Sequence, residues 1–295
     1  MKISPTEIAD HFAEAFEMRY TRLIVTALDE YWCDTAVAEF TGFGTSIIAC
    51  DAEAARERRL SADETPDGRP GVSVLVFGFS TDALAKAVPR RAGQCLLTCP
   101  TTAVFDGLAA SEKRIALGSY LRYFGDGYQR SKVIAGRRYW RLPVLDGEFL
   151  VEESAGVEKG VAGGCLLIEA TSLEAGLRAA RAAVDSLVEM PGVILPFPGG
   201  VVRSGSKVGS RYEGLRASTN DAFCPTLRGR VESELHPETS HAYELVIDGV
   251  DEATVAAAMA TAARAAAGDG IVSIGAPNYG GKLGKYHFHL HEIFP

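Results

Sequence analysis

Residues 196–226 hold the densest set of groups that could grip a polar ligand. Two small-residue clusters, Pro198-Gly199-Gly200 and Ser204-Gly205-Ser206-Lys207-Val208-Gly209-Ser210, precede Ser218-Thr219-Asn220-Asp221-Ala222-Phe223-Cys224-Pro225. The stretch is too polar and glycine-rich for a core helix and too long for a hairpin turn. Loops of this length in a compact domain are functional or disordered, and the aromatic and cysteine residues here argue for order. An ordered binding loop is expected. A phosphate loop nearly fits: Gly200 and Gly205 have the right separation, but Ser206 stands where the lysine belongs and Lys207 comes one place late. Residues 208–210 do not open a helix, so triphosphate binding is set aside.

Two other places carry chemistry-bearing side chains. Glu244 interrupts an apolar strand, with Tyr243, Leu245 and Ile247 on one face and Ala242, Glu244 and Val246 on the other. Flanked by apolar neighbours, its carboxyl could be buried, raised in pKa and kept protonated, able to donate to a developing oxyanion. A solvated edge-strand glutamate fits the same residues. His287, His289 and His291 alternate along a strand and could share one face, a zinc arrangement suited to a metal-dependent hydrolase. A solvated or interface face accounts for them more simply. The six cysteines are scattered; Cys95 and Cys99 have Cys-x3-Cys spacing with no second pair, which points to free thiols in a reducing compartment.

The elements that must position these groups read as α+β. At 295 residues, 47% hydrophobic and 23% charged, the chain is ordinary for a globular protein able to bury a core. A net charge of −8 disfavours nucleic acid as a partner. No apolar run approaches a membrane span and no signal peptide is apparent, so the cytoplasm is expected. Ser4-Pro5-Thr6-Glu7 reads as a capping box that opens a helix through Ile8, Phe12 and Phe16 to about Met18. Strands are expected at 23–27, 46–50, 72–77, 121–128, 165–168, 243–247 and 271–274, with a hairpin about Asp146-Gly147. Helices are expected at 30–40, 81–88, 173–187 and around Val255 and Met259. The repeated strand–helix pattern in the second half suggests a split, ferredoxin-like unit. The lobes expected are 1–146, with 287–295 returning to it, and 147–286, packed tightly together.

Several long motifs in order are similar to those of the formylmethanofuran–tetrahydromethanopterin formyltransferase family. They include Thr41-Gly42-Phe43-Gly44-Thr45-Ser46, Glu64-Thr65-Pro66-Asp67-Gly68-Arg69-Pro70-Gly71-Val72, Phe124-Gly125-Asp126-Gly127-Tyr128-Gln129 and Gly160-Val161-Ala162-Gly163-Gly164. Pro196-Phe197-Pro198-Gly199-Gly200, the 204–210 loop, Ala217-Ser218-Thr219-Asn220-Asp221-Ala222 and Gly280-Gly281-Lys282-Leu283-Gly284 continue the match. The resemblance covers nearly the whole chain. It implies two ferredoxin-like lobes with mainly antiparallel sheets flanked by helices, a homo-oligomer built as a dimer of dimers, and no tightly bound cofactor. Methanofuran and tetrahydromethanopterin would be substrates in one-carbon metabolism, either methanogenesis or methylotrophic formaldehyde oxidation. The bacterial form resembles a subunit of a formyltransferase/hydrolase complex.

The resemblance places the key glutamate at Glu244, as a protonated oxyanion donor in a ternary complex. Substrate contacts are expected from Lys207, Ser206, Ser210, Asn220 and Asp221. Phe43 with Gly44, Phe124, Phe197 and Phe223 lie beside glycine or proline, where an aromatic ring can face a ligand. The resemblance implies no metal at His289 and His291. The alternatives are a non-catalytic scaffold of a one-carbon complex and the histidine-strand hydrolase.

Overall fold

The structure, a computed structural model, describes residues 1–294. The chain opens with β1 (Lys2–Ile3), β2 (Thr6–Ile8) and the long β3 (Phe12–Thr26). Then come α1 (Glu30–Thr41), β4 (Glu53–Leu60), β5 (Gly71–Gly78), α2 (Thr81–Arg91), β6 (Ala103–Asp106) and β7 (Arg114–Ala116). The short α3 (Gly118–Leu121) leads to β8 (Arg130–Ile134), β9 (Arg137–Val144), β10 (Gly147–Glu152) and β11 (Ser154–Gly156). The second half runs β12 (Glu158–Ala170), α4 (Leu173–Asp185), β13 (Val193–Ile194), β14 (Lys207–Val208), β15 (Ala217–Ser218) and β16 (His241–Gly249). It ends with α5 (Glu252–Ala266), β17 (Ile271–Gly275) and β18 (Tyr286–His289).

Two compact units result, 18–160 and 1–17 together with 161 onward. β3 supplies both units.

The 18–160 unit is a βαββαβ repeat of β3, α1, β4, β5, α2 and β6, with spatial order β4-β5-β3-β6 and antiparallel neighbours throughout. β10 adds to β6 in parallel, and β9 and β8 follow antiparallel. α1 is capped by the Asp29 carboxylate, which accepts from the Trp32 N–H. It buries Cys33, Ala36, Val37 and Phe40, the i, i+3, i+4, i+7 stripe of a core-facing helix.

The second unit repeats the topology with β12, α4, β13, β16, α5 and β17, in spatial order β17-β12-β16-β13 and again antiparallel. α4 offers Ala175, Gly176, Ala179, Ala180 and Ala183, and α5 offers Ala258, Ala262, Ala263 and Ala266. Such small side chains let both helices lie close on one face of the sheet. There Leu166, Ile168, Leu245 and Ile247 complete a core with no solvent exposure at any of the four. Between β13 and β16 the chain makes its long excursion through 196–240. β18 pairs with residues 12–15 of β3, inside this same unit. No helix among the described residues is long and apolar enough to cross a membrane.

Three expected elements differ. The helix expected through Ile8, Phe12 and Phe16 is the strand pair β2 and β3. The spacing of four imitates a helix, but Ala13 and Ala15 are fully buried and residues 12–15 pair with β18, so sheet pairing overrides the local pattern. The strand expected at 46–50 is a turn, where the Ala49 and Cys50 N–H groups both bond back to the Ser46 carbonyl and Ile48 is exposed. The run 121–128 is the end of α3 and a 3-10 turn through Gly125, with the Arg122 guanidinium over the Tyr123 and Trp140 rings. Short apolar runs carry no reliable period, and here tertiary stacking decides.

Candidate active site

The face of β12 and β16 turned away from the helices carries Cys165, Leu167 and Glu169 on one strand and Ala242, Glu244 and Val246 on the other. Residues of a strand alternate between faces, and the helix-facing set is the apolar core. Glu244 stands opposite Leu167, which in turn stands opposite Gly275 of β17. The excursion returns to this face at Val202, which exchanges both backbone hydrogen bonds with Glu244, at 2.7 and 3.1 Å. Its far end is tied down by buried Glu169, whose carboxylate accepts from the His236 N–H at 2.8 Å and the Thr239 hydroxyl at 2.6 Å. The polar loops are therefore anchored at both ends onto the face that bears Glu244.

Glu244 is only 9% exposed. Burial pushes its carboxyl up to about 7, opposed by a hydrogen bond from the Cys165 thiol. At neutral pH a large share of this group keeps its proton and can donate. The Tyr279 phenol lies in the same cluster, hydrogen-bonded with the Ser206 side chain. Burial, then the charges of Cys165, Glu244 and Glu14, push it up to about 12 against the Ser206 bond. Tyr279 is carried by the loop after β17. That loop folds around the carboxylate of Glu14, which is 2% exposed and accepts from the backbone N–H groups of Tyr279, Gly281, Leu283 and Gly284.

The other expected ligand contacts of this unit lie in the excursion. Lys207 and Ser218 are partners in the β14–β15 hairpin. The Lys207 ammonium donates to Asp221 at 2.6 Å, and this bond holds the Asp221 carboxyl below its usual value. The two charges thus satisfy each other. The Ser210 hydroxyl accepts from the Tyr212 N–H, and the Asn220 carbonyl accepts from the Phe223 N–H and the Cys224 thiol. Phe197 and Phe223 are half-buried beside short 3-10 turns.

Phe43, Gly44 and Phe124 belong to the 18–160 unit. Phe43 is 77% exposed at a positive φ of 52°, and its carbonyl accepts from Arg91. A Cβ on Gly44 would meet the Thr41 carbonyl oxygen at 2.8 Å, so only glycine fits that turn. Phe124, 67% exposed, lines a cavity of about 1410 Å³ with Arg90, Tyr120, Tyr123, Leu145 and Asp146.

The three histidines do not share one strand face. His287 and His289 flank the Phe12 ring, whereas His291 lies beyond β18 with Nε2 2.8 Å from the Ile8 carbonyl oxygen. Among the described residues no group of three metal-capable side chains forms. Sequence alone assigns no role to Cys165, Tyr279 or Glu14. Cys165 shares its strand face with Leu167 and Glu169, and that alternation is a signal that could find it. Glu14 is hidden by the helical spacing around it.

With this geometry in hand, comparison with known proteins is decisive. A model of the formylmethanofuran–tetrahydromethanopterin formyltransferase family matches residues 1–144, and one described as "FTR, proximal lobe" matches 147–293. The chain belongs to this family. It is 55% identical to the formyltransferase of that name from Methylococcus capsulatus, over 99% of both chains. Its identity to the Methanosarcina mazei relative is 47% over the full length of both. Among solved structures it is similar to the formyltransferase from Methanosarcina barkeri, with a TM-score of 0.95, 46% identity and full coverage of both chains. It is also similar to a chain of the formyltransferase/hydrolase complex from Methylorubrum extorquens, solved in complex with methylofuran. There the TM-score is 0.97 and the identity 47%, over 100% of this chain and 99% of that one. The protein is accordingly an enzyme, a formyltransferase, and the expected two-lobed α+β fold holds.

Proposed function

We propose that the enzyme moves a formyl group reversibly between methanofuran, or a close furan analogue, and nitrogen 5 of tetrahydromethanopterin, with both coenzymes bound together. The names of its relatives support the substrates, and the burial of the Glu244 carboxyl, which pushes its pKa up to about 7, is the observation that carries the mechanism. The acceptor nitrogen attacks the formyl carbon and the carbonyl electron pair moves onto oxygen. The Glu244 O–H donates to that oxygen as it gains charge. The carbonyl then reforms, the C–N bond to the donor nitrogen breaks, and that nitrogen takes the proton released by the acceptor. No covalent enzyme intermediate is needed when both amines are held in place. Cys165 occupies one hydrogen-bonding position of the carboxyl and helps to fix its orientation.

The loop residues Ser206, Lys207, Ser210, Asn220 and Asp221 are proposed to contact the coenzymes, together with Phe197 and Phe223. Phe43 with Gly44 and Phe124 are proposed as further contacts. Lys207 must loosen its ion pair with Asp221 to meet an anionic substrate group. The coenzymes are substrates and no other cofactor is proposed. A homo-oligomer is one working form; the related complex that carries methylofuran supports assembly with formyltransferase/hydrolase subunits as well.

The test is formyl transfer measured for wild type and Glu244→Leu side by side, since leucine removes the donor where glutamine would keep an amide N–H. The variant is expected to lose about 10²-fold or more in kcat, the usual cost of one oxyanion donor. Unchanged activity in the variant would move the donor elsewhere. If isolated wild type is inactive and partner subunits do not restore it, the scaffold reading replaces this one.

A further inference from the structure

We propose that Tyr279 is a second catalytic hydrogen-bond donor beside Glu244 and that Glu14 is the positioning residue that holds it there. This rests on the formyl-transfer reading above.

The geometry begins in the sheet. β17 ends at Gly275, which pairs with Leu167, and Leu167 pairs on its other side with Glu244. Two strand spacings, about 10 Å, therefore separate the end of β17 from the Glu244 backbone. The loop from Ala276 continues from this strand end and is gathered by Glu14. Its carboxylate lies inside the loop and gathers the N–H groups of Tyr279, Gly281, Leu283 and Gly284, three of them at 3.0–3.1 Å. Gly280 and Gly281 take positive φ of 76° and 70°, which lets the backbone close around one side chain. A Cβ on Gly284 would meet the Ala15 carbonyl oxygen at 2.8 Å, so the close approach also requires glycine.

The four donors outweigh the effect of burial and hold the Glu14 carboxyl below its usual value, so it stays an anion at neutral pH. Its charge is matched to backbone dipoles rather than to a cation, which suits a clamp on main chain. The ring it positions is hydrogen-bonded with Ser206 of the excursion, near enough to Cys165 and Glu244 for their charges to act on the phenol. Tyr279 thus joins the loop after β17 to the 204–210 loop at the reacting face. A phenol that keeps its proton throughout the working range can donate to the same oxyanion that Glu244 serves. Its donor capacity stays when Glu244 ionises.

The experiment compares kcat and KM for wild type, Tyr279→Phe, Glu14→Gln and the double variant in the intact enzyme, with Tm measured for each. Tyr279→Phe is expected to lower kcat on the order of tenfold with KM and Tm little changed, as for loss of one hydrogen bond made in the transition state. Glu14→Gln is expected to lower kcat by a comparable factor. The double variant should be no worse than the poorer single variant, because both substitutions remove the same donor. Multiplying losses would make Glu14 a structural residue only and overturn its role. Tyr279→Phe within about twofold of wild type would overturn the proposal outright. Should Glu14→Gln fail to fold, Glu14→Asp replaces it, since an anion drawn back by one methylene loosens the clamp and must then lower kcat, with no further loss when combined with Tyr279→Phe. If wild type transfers formyl and Glu244→Leu does not, while Tyr279→Phe is unaffected, this inference falls and the formyl-transfer reading stands.

Discussion

Glu14 and Glu244 are both nearly closed off from solvent, at 2% and 9% exposure, and they differ in what meets the carboxyl. Four backbone N–H groups converge on Glu14, and one thiol reaches Glu244. Desolvation alone would neutralise either group. Donors aimed at the charged form reverse that outcome at Glu14, while the apolar floor of Leu167 and Val246 leaves burial in command at Glu244. The result is a fixed anion that shapes a loop and a buried acid whose carboxyl is pushed toward its protonated form. The same side chain serves structure or chemistry according to the number of donors around it.

The contrast gives opposite pH dependences of stability. The Glu244 carboxyl is raised from 4.5 to about 7, so between these values the folded state holds a proton that the unfolded chain has released. Stability falls as pH rises through that window and levels off above it. Glu244→Gln, which cannot ionise, should therefore gain up to about 3 kcal/mol over wild type at pH 8.5, because each tenfold change in proton affinity is worth about 1.4 kcal/mol. It should gain almost nothing at pH 4. Urea unfolding at both pH values measures this, and an equal difference at both would show that Glu244 is not held neutral by burial.

Glu14 tilts the other way. Its contribution is complete above the ordinary carboxylate pKa and is lost as pH falls through its depressed folded value. Glu14→Ala removes the acceptor for four N–H groups. The cost should be about 2 kcal/mol, less than four full penalties because the loop can turn to water. Equilibrium unfolding reads the loss, and hydrogen exchange should show Tyr279, Gly281, Leu283 and Gly284 exchanging faster. Unchanged protection at those amides would mean that something other than Glu14 holds the loop.

The rate of wild type supplies a third measurement. If the protonated form of Glu244 is the donor, kcat/KM should fall about tenfold per pH unit above 7. A rate flat to pH 9 would leave the oxyanion to a donor that does not titrate there.

How far these groups can be read from the chain depends on what fixes them. The split βαβ unit of the second half is legible because apolar strands alternate with long amphipathic helices, as in Cys165–Ile168 followed by Leu173–Asp185. The two faces around Glu244 are legible from strand alternation alone. Glu14 is not, because Ile8, Phe12 and Phe16 imitate a helix and the partners that make β3 a strand come from distant parts of the chain. The placement of Tyr279 is also out of reach, since it depends on a loop that closes on a side chain 265 residues earlier in sequence. The third histidine illustrates the reverse case: alternation suggests one face for His287, His289 and His291, but the strand ends before His291.

The finest cut concerns Cys165, the group that opposes burial at Glu244. Its thiol donates to the carboxyl and stabilises the ionised form, so it works against the proton that the proposed mechanism needs. Cys165→Ala removes the donor and leaves a slightly more apolar surface. The Glu244 carboxyl should then move further up, and the falling limb of the pH–rate profile should shift to higher pH by less than about one unit, since a weak thiol donor is worth under about 1.4 kcal/mol. At pH 8 the variant should be faster than wild type if protonation is the only property that Cys165 controls. If it is slower at every pH, the thiol matters chiefly for orientation, and Glu244 resembles Glu14 more closely than their charges suggest: a carboxyl whose value to the enzyme lies in where its partners hold it.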